Sequence, residues 1–206
     1  MNNQRRNTRT ACRPEDGIWS RLPASRRELL GLSLLVTGDA IVTSGSASAA
    51  VPAHPPLQLF APKTFPALRF LDEAGQHISL ASFHGKFVLL SIWATWYIPC
   101  QKEMATLDRL QAKLGGPHFQ IVPVSIDTGG LAPVKEFYTR FKIQHLGIFL
   151  DPSGSAMEIL NLQEIPVSFL INSDGEAIGL RSGTAVWDSP RMVRFLTHVI
   201  SSKSPT

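Results

Sequence analysis

The pattern of apolar and polar positions along this chain predicts a domain that mixes strands and helices. The apolar run FVLLSIW at 87–93 is rich in β-forming residues and is typical of a strand buried on both faces of a sheet, and a second buried strand is predicted at 119–126. Strands are predicted at 67–71, 77–80, 87–93, 119–126, 147–150, 167–171 and 176–180. Apolar residues at helical spacing predict helices at 100–114, 133–141, 153–160 and 189–200. This order indicates an α/β fold, with a mixed central sheet flanked by helices and an N-terminal β-hairpin extension.

The first 49 residues have the pattern of a targeting segment. A basic stretch leads into the sequence SRRELL at 25–30, and a mildly apolar run then ends in small residues, with ASA at 47–49. These features in this order indicate a secretory signal, and the paired arginines resemble those of a twin-arginine signal. We expect a periplasmic protein that is cleaved after Ala49, with membrane attachment only if the leader remains. Residues 50–66 hold five prolines and are predicted to form an extended linker, so the folded domain is expected from residue 67.

The positive charge of the chain belongs mainly to the leader. The sequence has 20 Lys and Arg against 16 Asp and Glu. Residues 1–49 hold 7 of the basic and 4 of the acidic residues, which leaves 13 basic and 12 acidic residues in the remainder. A nearly neutral body gives no electrostatic reason to expect nucleic-acid binding.

The chain has two cysteines, Cys12 and Cys100. Cys12 lies in the leader, so a processed chain keeps one thiol and cannot form an internal disulfide. The six histidines show no ligand spacing around Cys100, and a copper or zinc site needs more soft ligands than one thiol. We therefore expect neither a metal nor a cofactor.

The sequence WATWYIPC at 93–100 resembles the W-A-T-W-C-x-P-C motif of the TlpA/ResA group of bacterial thioredoxin-like thiol-disulfide oxidoreductases. Further segments match the strand before that motif, the start of the helix after it, the cis-proline loop with its strand, and the turn beyond. They are GKFVLL at 85–90, KEM at 102–104, IPVSFLI at 165–171 and DG at 174–175. The resemblance implies a thioredoxin-like fold over residues 67–202.

One position departs from the family pattern. Tyr97 stands where the resemblance places the first cysteine, whose thiolate attacks the disulfide of a substrate. A tyrosine oxygen does not exchange with disulfides, so only the resolving position remains, as Cys100. At best, Cys100 supports exchange as a single thiol, and the favoured interpretation is a buried and inert side chain. For Tyr97, a contact to a client peptide and neutral drift stay equally open.

The resemblance also implies a substrate-binding surface. It includes Trp96 as a half-exposed wall, Pro99, and a cis Ile165–Pro166 bond that exposes backbone where an extended peptide can pair. Glu103 matches an acid that assists proton transfer in the family. Without a thiol at position 97 that role has little to act on, so we expect Glu103 to be a solvated residue of the first helical turn.

Two functions follow from these observations. The first is an exported thiol-disulfide oxidoreductase of TlpA type, limited to exchange through Cys100 with a client or with a small thiol such as glutathione. The alternative is a non-catalytic module that holds exported client proteins, such as cysteine-containing cytochrome or oxidase subunits. A third hypothesis is that a partner protein supplies the missing thiol and forms an intermolecular disulfide with Cys100.

Overall fold

The computed structural model describes residues 57–203, which form a mixed sheet with helices packed against it. The strands are β1 (Gln58–Thr64), β2 (Arg69–Asp72), β3 (His77–Ser79), β4 (Phe87–Trp93), β5 (Phe119–Ser125), β6 (Phe149–Leu150), β7 (Val167–Ile171) and β8 (Glu176–Ser182). The helices are α1 (Ile98–Leu114), α2 (Leu131–Phe141), α3 (Ser155–Ile159) and α4 (Pro190–Lys203), with a short 3-10 turn at Leu80–Phe83. The predicted α/β class and its N-terminal hairpin, β2 with β3, are confirmed.

The sheet order is β1-β8-β7-β4-β5-β6-β2-β3, which places β4 near the centre. Strand β4 runs parallel to β5 and antiparallel to β7, and all seven of its residues are buried. Its apolar residues explain this position, because a central strand covered on both faces needs no polar alternation. The loop that follows β4 therefore starts from a rigid part of the sheet.

The main core lies between the sheet and helices α1, α2 and α4. Trp93 at the end of β4 packs against the ring of Phe137 from α2, with ring centroids 5.2 Å apart. Leu107 of α1 and Leu196 of α4 are fully buried in the same cluster. The start of α1 is thus held against the sheet by apolar contacts along the helix. None of the helices within residues 57–203 is long and apolar enough to cross a bilayer.

The predicted linker over residues 50–66 is wrong for its second half. Strand β1 pairs antiparallel with β8 as an edge of the sheet, and Leu57 just before it is buried. Phe65 after β1 packs edge-on against Phe169, with centroids 5.2 Å apart. Pro62 is tolerated because an edge strand has one unpaired side, and the pairing register shifts between Leu59 and Lys63, around the proline. The predictions for residues 1–56 fall outside the described part of the chain.

Candidate functional site

The candidate site is the loop that joins β4 to α1. Residues Ala94–Tyr97 leave the sheet, and Tyr97 caps α1 with an extended backbone, φ −97° and ψ 110°, but without a side-chain capping bond. Pro99 stands in the first turn of α1, where a missing N–H costs nothing, and is half-buried. Cys100 follows it, so the loop and the first turn carry the whole WYIPC sequence.

Three consecutive side chains at the junction of this loop with α1 face solvent. Trp96 is 65% exposed, Tyr97 is 38% exposed and Ile98 is 61% exposed. The rings of Trp96 and Tyr97 lie 6.0 Å apart at 59° to each other. Trp96 was expected to be half-exposed and is more exposed than that. Large apolar side chains grouped on a surface mark interaction sites more often than isolated ones do. We call Trp96, Tyr97 and Ile98 the aromatic tip.

The Ile165–Pro166 loop lies beside the start of the β4–α1 loop. The β4–β7 register pairs Ile92 with Val167, so one further step brings Pro166 opposite Trp93. The Ile165–Pro166 peptide bond is cis. The Pro166 carbonyl accepts a hydrogen bond of 2.9 Å from the Gly183 amide, and its ring is buried. Ile165 is half-buried against the core, and its backbone N–H and C=O have no hydrogen-bond partner within residues 57–203.

Cys100 is the one cysteine in the described part of the chain, and it is 1% exposed. Burial raises the pKa of its thiol from 9.0 to about 12, and the carboxylates of Glu103 and Asp127 add to that increase. A backbone hydrogen bond at Ala94 opposes it but is the smaller effect. The thiol is therefore neutral at physiological pH, and its sulfur is covered.

Glu103 was predicted to be solvated, and that expectation is wrong. Its side chain is 2% exposed, because the loop that leads into α4 folds across the first turns of α1. The Trp187 indole N–H donates to Glu103 Oε1, and the Trp187 backbone N–H donates to Thr106 Oγ1 at 3.2 Å. Burial raises the pKa of Glu103 from 4.5 to about 7, although the Trp187 hydrogen bond and the Arg181 charge lower it. Oε2 of Glu103 has no hydrogen-bond partner among the residues described.

Asp127 belongs to the site and was not singled out from the sequence. It follows β5, is buried, and accepts hydrogen bonds from the Thr95 backbone N–H at 2.9 Å and from Thr95 Oγ1 at 2.6 Å. Ser125 Oγ donates to the same carboxylate at 2.6 Å. Its position after a buried parallel strand was the one available signal, since the carboxyl ends of parallel strands share an edge.

Between residues 57 and 203 there is no group of three or more His, Cys, Asp or Glu side chains that could hold a metal ion. The site therefore consists of a covered thiol, two buried carboxylates and an exposed aromatic tip. The site is formed by a strand, a loop and a helix, with a cysteine in the first helical turn and an Ile–Pro loop beside it. This arrangement defines a thioredoxin-like protein.

Sequence comparison gives the family. The Redoxin family model matches residues 61–193, and the chain belongs to that family. It is 32% identical over 116 residues to the thiol-disulfide oxidoreductase ResA of Bacillus thuringiensis subsp. konkukian (strain 97-27), covering 56% of this chain and 66% of that protein. Identity to ResA of Bacillus subtilis (strain 168) is 27% over 113 residues, covering 55% of this chain and 62% of that protein. The chain therefore spans slightly less than two thirds of these relatives.

Solved structures agree on the fold. The thioredoxin domain of a thiol-disulfide oxidoreductase from Bacteroides vulgatus superposes with a TM-score of 0.58 at 20% identity, covering 68% of this chain and 99% of that one. StoA from Bacillus subtilis gives a TM-score of 0.53 at 23% identity, covering 64% and 99%. The thioredoxin-like fold and the resemblance to ResA-type proteins are thereby confirmed.

Proposed function

We propose that this chain is an exported thioredoxin-like module that holds extended segments of client proteins and does not exchange disulfides through a cysteine pair. The observation that carries this proposal is the contrast in exposure along the WYIPC sequence. The aromatic tip faces solvent, whereas Cys100, three residues after Tyr97, is 1% exposed. The site thus offers contact area but no accessible thiolate.

Loss of disulfide exchange follows from the chemistry of the two positions. A phenol at position 97 cannot form a mixed disulfide, so the attacking group of the two-cysteine mechanism is missing. Cys100 cannot substitute for it, because exchange requires a thiolate and the pKa of this thiol is about 12. Exchange by Cys100 as a single thiol, with glutathione or a client, would first require the loop to uncover the sulfur.

Binding of a polypeptide is supported by two neighbouring features. Trp96 and Tyr97 provide rigid aromatic surface, the side-chain type enriched in interface anchors. Ile165 offers a backbone N–H and C=O without partners within residues 57–203, which an extended chain can pair with as an added strand. Trp96, Tyr97, Pro99 and Ile165 are therefore the proposed contact residues, and the buried Pro166 supports Ile165 from behind.

The class of client is inferred from the relatives and the leader. The relatives are named thiol-disulfide oxidoreductases, which favours protein partners that contain cysteine. The resemblance to the TlpA/ResA group suggests exported cytochrome or oxidase subunits as examples. The predicted secretory signal favours an encounter in the periplasm. The hypothesis that a partner protein supplies the missing thiol is not supported, because Cys100 is covered and a partner's thiol could not reach it.

The proposal is tested with an unfolded probe that has no thiol. Fluorescein-labelled α-lactalbumin, reduced and carboxymethylated, is titrated with the full chain and followed by fluorescence anisotropy. We expect saturable binding that Trp96→Ser weakens by about tenfold or more, the typical effect of losing an aromatic anchor. The control Ile159→Ser, exposed on α3, leaves affinity unchanged.

Two outcomes would contradict the proposal. One is equal affinity of the unmutated chain and Trp96→Ser for the probe. The other is a mixed disulfide at Cys100, located by peptide mapping after the folded chain is incubated with glutathione disulfide. That adduct would establish exchange by a single thiol in place of non-covalent holding.

A further inference from the structure

Asp127 is a buried carboxylate placed directly behind the aromatic tip. Its side chain receives three hydrogen bonds of 2.6 to 2.9 Å, two of them from Thr95 and one from Ser125 Oγ. It is 4% exposed, so it cannot contact a bound client. Hydrogen bonds of N–H and O–H groups to a carboxylate are stronger than those between neutral groups. Two hydrogen bonds therefore hold Thr95 to Asp127, which lies two residues beyond the end of β5.

These hydrogen bonds are the main interactions that stabilise the buried carboxylate of Asp127. The salt bridges found within residues 57–203 join Arg109 to Asp188, Lys135 to Glu73 and His145 to Asp108, and none includes Asp127. A buried carboxylate without a cation depends on its hydrogen-bond donors. Since two of the three hydrogen bonds to its side chain come from Thr95, the carboxylate and the loop stabilise each other.

The opposite side of Thr95 is held as well. Gln101 of α1 donates from its side-chain Nε2 to the Thr95 carbonyl at 2.7 Å. Its backbone N–H donates to the Tyr97 carbonyl at 3.2 Å. Thr95 is thus bound to the end of β5 on one side and to α1 on the other. Trp96 comes next in the chain, in a turn that is closed by a hydrogen bond of 3.4 Å from the Tyr97 backbone N–H to the Ala94 carbonyl.

We propose that Asp127 and Thr95 are a positioning pair that fixes the orientation of Trp96 and Tyr97 for client binding. This inference rests on the proposed holding function, but it concerns residues that do not touch the client. Holding the tip in one conformation before binding removes an ordering cost that would otherwise reduce affinity. Loss of the pair therefore weakens binding although every contact side chain remains.

The test uses variants that preserve shape. Thr95→Val removes the hydroxyl donor and keeps the volume, whereas Thr95→Ser keeps the hydroxyl. Thr139→Val is the control, because the Thr139 hydroxyl bonds only within α2, to the Lys135 carbonyl at 2.9 Å. Each variant is titrated against the carboxymethylated α-lactalbumin probe. We expect Thr95→Val to bind about tenfold more weakly, and Thr95→Ser and Thr139→Val to bind within about twofold of the unmutated chain.

A second measurement does not depend on client binding. Hydrogen–deuterium exchange of a peptide that covers residues 94–98 is compared with that of a peptide from β7. We expect faster exchange at 94–98 in Thr95→Val and in Asp127→Asn, with β7 unchanged, and rescue of slow exchange in Thr95→Ser. If the unmutated chain fails to bind the probe, the holding function is refuted. Hydrogen–deuterium exchange still tests whether Asp127 and Thr95 fix the conformation of residues 94–98. Unchanged exchange at 94–98 in Thr95→Val would overturn the pair.

Discussion

The buried carboxyl group of Glu103 makes the stability of this domain depend on pH, and Glu103→Gln should remove that dependence. Burial raises the pKa of Glu103 from 4.5 to about 7 in the folded chain, although the Trp187 indole N–H favours the charged form. In the unfolded chain the group titrates near 4.5. Between these two values the unfolded chain has released a proton that the folded chain still holds. The unfolded state then binds fewer protons, so stability falls as pH rises through this interval.

The size of the effect follows from the two pKa values. The interval between 4.5 and about 7 corresponds to about 3 kcal/mol of unfolding free energy. The side chain is almost fully buried, so solvent screening reduces this figure little. At about pH 4 glutamine and neutral glutamic acid both accept from Trp187, and we expect the two chains to agree within about 1 kcal/mol. At about pH 8 we expect Glu103→Gln to be more stable by about 3 kcal/mol.

Urea unfolding followed by circular dichroism, repeated from about pH 4 to about pH 8, measures this difference. The matched control is Glu136→Gln, because Glu136 is exposed on α2. Its stability should follow that of the unmutated chain at every pH. Parallel profiles for Glu103→Gln and the unmutated chain would refute the reasoning, since they would mean that the carboxyl group titrates alike in the folded and unfolded states.

Two further predictions concern buried polar groups. Asp108 is buried on α1, and its carboxylate accepts hydrogen bonds from the backbone N–H groups of Gln144, His145 and Leu146 at 3.0, 2.6 and 3.2 Å. Asp108→Asn should therefore lower the free energy of unfolding, measured in urea at neutral pH, by about 1–3 kcal/mol. The control is Asp174→Asn in an exposed turn, and equal stability of the two variants would contradict this role. The thiol of Cys100 should react with iodoacetamide about a thousandfold more slowly in the folded chain than in guanidinium, because its pKa rises from 9.0 to about 12. Peptide mapping separates Cys100 from Cys12, and similar rates in both solvents would show that the sulfur is accessible.

Strands with uniform apolar sequence were the most predictable part of the fold. Strands β4 and β7 have the predicted bounds, because a run that is apolar except for one small serine fits a strand covered on both faces. Helix α1 begins at Ile98, two residues before the predicted start, since Pro99 suits a first turn although it breaks the apolar pattern. The turn at 172–175 was also predictable from its residues, and the Asn172 side chain bonds the backbone N–H groups of Asp174 and Glu176.

Contacts between distant segments could not be predicted from local pattern. Strand β1 contains a proline and has mostly exposed residues, so its sequence resembles a linker until β8 is known to lie beside it. Glu103 is buried beneath a loop whose Trp187, 84 residues later, hydrogen-bonds its carboxyl group. Asp127 reaches Thr95 across 32 residues. Each case depends on the pairing of elements rather than on the residues of one element.

The most direct test of the account compares disulfide reduction by the unmutated chain with that of its Tyr97→Cys variant, using insulin with dithiothreitol as the electron source. With the rest of the site intact, a thiol introduced at position 97 would stand at the exposed N-terminus of α1, where thiolate is favoured. We expect the variant to accelerate insulin reduction and the unmutated chain to match the uncatalysed rate. A rate for the unmutated chain as high as that of the variant would contradict the claim that position 97 decides the chemistry of this site.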